Sequence, residues 1–176
     1  MQGDVTNVFG IEIPSTDPLF LTIVGAHILV GMAAVGFGAA AIFSRKGRGR
    51  HPRFGVYYYW FVIATVATAT LLTAMRFVEN LDVMILGLLC LGALIMGRQA
   101  MRRRWRGWLP SHISAMGMSY VFLLIAFYVE NGEDLPLWDR LPHLAYWLIP
   151  PALGVPIILL ALRFHPLMRQ SADPRL

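Results

Sequence analysis

The sequence predicts an all-α, polytopic membrane bundle of five transmembrane helices, and three observations carry that prediction. Of the 176 residues, 57% are hydrophobic, and the mean hydropathy is +0.59. Charged side chains make up 14% of the chain, against about 25% in soluble domains. The uncharged residues also gather in five long apolar runs, and a helix of about 20 residues crosses a hydrocarbon core of about 30 Å. This excludes a soluble enzyme, and it excludes a nucleic-acid module despite a pI near 9.9. The single cysteine, Cys90, sits inside an apolar run, so there is no disulfide framework and no cysteine-based zinc site.

Residues 1–17 precede the first run and carry no basic stretch and no small-residue cleavage site, so they read as a short exported tail. Span one, 18–43, is rich in Gly25, Gly31, Ala34, Gly38 and Ala41, and span two, 55–75, in Ala64, Thr65, Ala67, Thr68 and Ala69. Small residues four apart let helix backbones approach closely in lipid, so these two helices are expected to pack tightly. Span three, 83–97, is the shortest and borrows Gln99 to Met101, with Arg98 reaching back to the interface. Span four, 111–129, completes a four-helix core over 18–129. After an outer loop at 130–143 comes span five, 144–162, where Pro150, Pro151 and Pro156 predict a kinked helix appended to that core. A basic tail, 163–176, closes the chain.

Charge sets the direction. Arg45, Lys46, Arg48, Arg50 and Arg53 lie between spans one and two, Arg98, Arg102, Arg103, Arg104 and Arg106 close span three, and Arg163, Arg169 and Arg175 follow span five. These are 13 of the 15 basic residues, and by the positive-inside rule their side is the cytoplasm. The N-terminus is then outside and the C-terminus inside. Nine of the ten acids (Asp4, Glu12, Asp17, Glu79, Asp82, Glu130, Glu133, Asp134, Asp139) fall on the opposite side, an independent agreement. Tyr57, Tyr58, Tyr59, Trp60, Trp105 and Trp108 read as inner interface anchors, and Trp138, Tyr146 and Trp147 as outer ones. The basic loops are expected to meet anionic lipid headgroups or simply to set topology. Arg76, Glu79 and Asp82 suggest an outer ion pair.

The chemistry rests on histidines. His51 follows one basic loop and His112 the other, each within two residues of a proline (Pro52, Pro110) and each followed eight residues later by a tyrosine, Tyr59 and Tyr120. A pseudo-two-fold duplication of hairpins would place both at one depth on parallel helices. Each is equally well read as a cap at its helix end. His27 lies within span one, where an ionisable residue is a functional candidate or a hydrogen-bonding link to a neighbouring helix. It stands about 24 Å from the inner end of that helix, too far to share one ligand with His51 and His112. An outer pair, His27 and His143, with Met84 as a conceivable second ligand, and an inner trio, His51, His112 and His165, result. In outline this arrangement resembles b-type membrane cytochromes, which hold haem between histidines of facing helices. His51 and His112, however, sit at the membrane edge, short of the depth usual for haem ligands.

Three segments carry a further resemblance: His27 with Gly31 and Gly38; His51, Phe54, Gly55 and Tyr58; and His112, Met116, Ser119 and Tyr120. Over 18–129 the chain resembles a family of small bacterial membrane proteins catalogued as a domain of unknown function. It departs from that family at Pro52 and Ile113, where arginine is typical, and at Gly117 and Met118, which replace a more basic pair. The resemblance implies that His27, His51 and His112 form one polar set, and it implies no reaction.

The leading expectation is a bacterial inner-membrane protein that binds haem b or a single metal ion through His27, His51, His112 and His143 and passes electrons with quinone or a respiratory partner. Its rival is a cofactor-free accessory subunit of a larger membrane complex. A third reading is a small permease, or a membrane-embedded metal-dependent hydrolase with one ion on His51, His112 and His165. No HExxH, P-loop or Gly-x-Ser-x-Gly motif occurs, and no acid lies in any span to counter a transported cation.

Overall fold

The computed structural model describes residues 6–8, 11–13, 17–46, 49–75 and 81–164. It contains five helices long and apolar enough to cross a membrane, α1 (Pro18–Phe43), α2 (Arg50–Met75), α3 (Leu81–Arg103), α4 (Trp108–Asn131) and α5 (His143–Phe164). A short antiparallel ribbon, β1 (Thr6–Val8) and β2 (Ile11–Ile13), precedes them, with Thr6 opposite Ile13 and Asn7 opposite Glu12. With three residues in each strand, the ribbon is too short to register as an apolar run. The chain divides into two units, residues 1–85 and 86–176.

Helix ends explain where α2 to α4 outrun the apolar stretches. α1 begins where Pro18 fixes its first turn and the Asp17 carboxylate accepts the Leu19 N–H at 2.9 Å. It ends at Ser44, whose N–H and hydroxyl both reach the Ala40 carbonyl. α2 starts at Arg50, five residues before the apolar run, because charged and imidazole side chains are compatible with a helix that merely leaves the hydrocarbon. α3 likewise continues through Arg102 and Arg103, cations suited to the negative end of its dipole, and carries Asp82 in its first turn. The turn into α4 uses the left-handed backbone at Arg104 (φ 48°) and Gly107 (φ 81°). There the Trp108 N–H donates to Trp105 and the Ser111 hydroxyl to Gly107.

In the first unit, α1 and α2 pack antiparallel along their length. Gly31 faces Thr65, while Phe37 stacks on Phe61 (5.4 Å, 10°) and touches Tyr57 and Phe54. Ala34 and Val62 are wholly buried. The small-residue pattern of spans one and two thus has the consequence expected of it.

In the second unit, α3 meets α4 where Cys90 donates its thiol to the Ser119 carbonyl (3.1 Å) and where Gly97 faces Met116. A Cβ on Gly97 would stand 2.8 Å from the Met116 thioether and 3.1 Å from the Met116 backbone nitrogen, so this approach requires glycine. Helix α5 is a full packing partner of α4, which corrects the expectation of an appendage. Ile158 fills the space at Gly117, Val121 that at Gly154, and the Tyr146 ring that at Gly132, a descending order that makes the pair antiparallel. α5 runs unbroken through its three prolines. Leu86, Val121 and Ile125 form a buried cluster, with Phe122, Trp147 and Ile158 against it.

Two residues read as interface anchors are core residues instead. Tyr58 and Tyr146 are each 1% exposed. The Tyr146 hydroxyl donates to the Trp138 carbonyl (3.1 Å), and Trp138 itself stacks on Tyr128 at 3.8 Å. An aromatic beside an apolar run reads the same whether it faces lipid or a neighbouring helix.

Candidate functional site

The helix C-terminus leaves carbonyls without intrahelical donors, and α1 resolves this with side chains from the following turn. The Ala41 carbonyl accepts from His51 Nδ1 (2.9 Å) and from Lys46 Nζ (3.1 Å), and Lys46 also donates to Ile42 (2.6 Å). Because a carbonyl can only accept, His51 carries its proton on Nδ1. In the neutral ring that makes Nε2 the unprotonated nitrogen. Burial lowers the Lys46 pKa from its ordinary value.

His112 repeats this arrangement in the second unit. On the first turns of α4, it donates from Nδ1 to the Gly97 carbonyl of α3 at 2.8 Å. The glycine that admits Met116 therefore also brings its carbonyl within reach of His112, four residues earlier on the same helix face. Just beyond, Ser119 is wholly buried, its hydroxyl donating to the Met116 carbonyl at 2.8 Å. Each hairpin is thus closed near its turn by a histidine at the start of the second helix, bonded to a carbonyl of the first. Met116 and Ser119 lie at the same closure.

His27 closes the other end of the α1–α2 pair. Its Nδ1 lies 2.8 Å from the Thr68 hydroxyl, which also reaches the Ala64 (3.0 Å) and Thr65 (2.9 Å) carbonyls. A ring protonated on Nδ1 donates to this hydroxyl, whose proton then goes to a carbonyl; a ring protonated on Nε2 accepts that proton instead. His27 and Ala41 are 14 residues apart, about 21 Å of helix, so His27 and His51 hold opposite ends of one hairpin and do not share a ligand.

The remaining candidates are more dispersed. His143 is exposed at the start of α5, with its ring edge-on to Tyr146 at 5.5 Å. Met84 takes a weak contact from the Thr70 hydroxyl at 3.8 Å. His165 lies outside the described residues, as do Arg76 and Glu79 of the suggested outer ion pair. Among the described residues no group of three or more His, Cys, Asp and Glu side chains forms a metal-holding set.

What sequence reasoning missed are the acceptors. Thr68 reads as one more small residue in a helix-packing stripe, yet it is the partner of His27. Ala41 and Gly97 act through backbone oxygens, which no side-chain pattern reveals. The spacing of a histidine shortly after a helix end is the signal that could have found Ala41. Compared with family models, curated proteins and solved structures, the chain matches none.

Proposed function

We propose that this chain is a multi-pass protein of a bacterial cytoplasmic membrane, N-terminus outside and C-terminus inside, that holds haem b or a metal ion on histidine Nε2 atoms and serves membrane electron transfer. One observation supports it above others: His51 and His112 both anchor Nδ1 on a backbone carbonyl. Metal-ligating histidines characteristically donate their other ring N–H to a carbonyl or carboxylate, which fixes the tautomer and aims the unprotonated nitrogen at the ligand. The concentration of basic residues on alternate loops supports the orientation. The family resemblance through His27, His51 and His112 agrees with a shared polar role.

The test is a comparison of oxidised and dithionite-reduced visible spectra of the purified chain, with metal analysis on the same sample. The expected result is a sharp reduced α band that His51→Ala or His112→Ala abolishes, or stoichiometric metal without a Soret band.

A second reading is favoured by the same bonds. Each histidine already closes its hairpin, which suffices for a cofactor-free subunit packed in a larger membrane complex. A colourless, metal-free protein that co-purifies with a partner at fixed ratio would establish that reading and end the first.

A further inference from the structure

The end of α3 gathers donors on one face. Gln99, Arg102 and Arg103 stand at i, i+3 and i+4, so their side chains share one side of the helix. These three residues line a concavity of about 440 Å³. Arg104 follows with its guanidinium 5.5 Å over the Trp108 ring, and Trp105 is 38% exposed. Below them α3 is apolar as far as Gly97. The concavity therefore lies where a helix leaves hydrocarbon, at the depth marked by tryptophans, which is the depth of headgroup phosphates.

We propose that Gln99, Arg102 and Arg103 form a headgroup site for an anionic phospholipid. Guanidinium forks bind phosphate oxygens in pairs, with geometry that an ammonium does not reproduce. The glutamine amide adds a donor for a second oxygen or for a headgroup hydroxyl. The concavity between the two guanidinium groups and the amide takes the phosphate while the acyl chains lie along the apolar length of α3. This is more specific than the general attraction of a basic loop to an anionic surface, because it assigns the lipid to one helix face. It rests on α3 crossing the bilayer and not on any cofactor.

The experiment uses the full chain in neutral detergent and titrates it with phosphatidylglycerol or phosphatidylcholine, counting bound lipids by native mass spectrometry. The wild type is expected to retain phosphatidylglycerol selectively, and Arg102→Gln/Arg103→Gln to lose affinity by about fivefold per arginine. Arg45→Gln/Arg53→Gln, an equal charge change on the other basic turn, is expected to keep most of the selectivity. Equal losses in the two double variants would mean a diffuse charge effect and overturn the site. Displacement of the lipid by millimolar inorganic phosphate would assign it to a free anion instead. Should the glutamine variant fail to fold, Arg102→Lys/Arg103→Lys keeps the charge and removes the fork. Several-fold weaker retention is expected there, and unchanged retention would overturn the proposal.

Discussion

The α1–α2 and α3–α4 hairpins are closed by the same bond and packed by different means. In both, a histidine at the start of the second helix gives its Nδ1 proton to a carbonyl of the first, His51 to Ala41 and His112 to Gly97. The first hairpin then packs along its whole length, with an ordinary contact at Gly31, where a Cβ would stand 3.9 Å from Thr65 Cγ2. The second makes a very close approach at Gly97, and beyond it α4 is shared between α3, through Cys90 and Leu86, and α5. The recurrent element is therefore the histidine closure, and the backbone contact around it is free to differ.

The largest expected effect breaks this contrast directly. Gly97→Val would drive side-chain atoms into Met116 and is expected to destabilise the protein by about 2–3 kcal/mol. Gly31→Ala, by contrast, meets normal contact distance and should change stability by less than about 0.5 kcal/mol. Unfolding in a denaturing detergent series measures both. Equal costs would show that the two hairpins depend on close approach alike.

Next in size are the closures themselves. His51→Ala and His112→Ala are each expected to cost about 1 kcal/mol, the typical net worth of one such bond. They should differ in coupling. His51 shares the Ala41 oxygen with Lys46, so His51→Ala and Lys46→Met should be non-additive. Strict additivity would mean that the two donors do not compete for that oxygen. Smaller still is His27→Ala, at about 0.6 kcal/mol, the mean for interhelical side-chain bonds in membranes. The Thr68 hydroxyl keeps its own helix carbonyls when the ring is gone.

The difference between the hairpins also explains what the sequence could show. Five apolar runs placed the helices, since hydropathy depends on composition alone, and α1 matches its run end for end. Run two began late at Arg50, His51 and Arg53, and run three ended early at the arginines after Gly97, because those residues bound a hydrocarbon span without ending a helix. The prolines of span five predict a kink, but it is Gly154 and Gly117, whose missing side chains admit Val121 and Ile158, that join α5 to α4. The histidines themselves were legible as chemistry. Their partners were not, because a carbonyl oxygen is present at every residue and only the folded backbone selects Ala41 and Gly97.

The smallest effect concerns Lys46, the one lysine in the chain. Burial lowers its pKa in the fold, so the unfolded chain holds that proton to higher pH than the folded one does. Between the two values the unfolded state binds more protons, and stability rises with pH; below the folded value the contribution is flat. Unfolding measured over about pH 8 to 11 should therefore show a rising component that Lys46→Met removes, the tyrosine titrations being common to both proteins. Lys46→Arg separates the two roles of this side chain. A guanidinium stays charged throughout that range, so the variant should keep the cap on Ala41 and Ile42 and lose the pH slope. A slope that survives in Lys46→Arg would place its origin elsewhere and leave the lysine as a solvated cap alone.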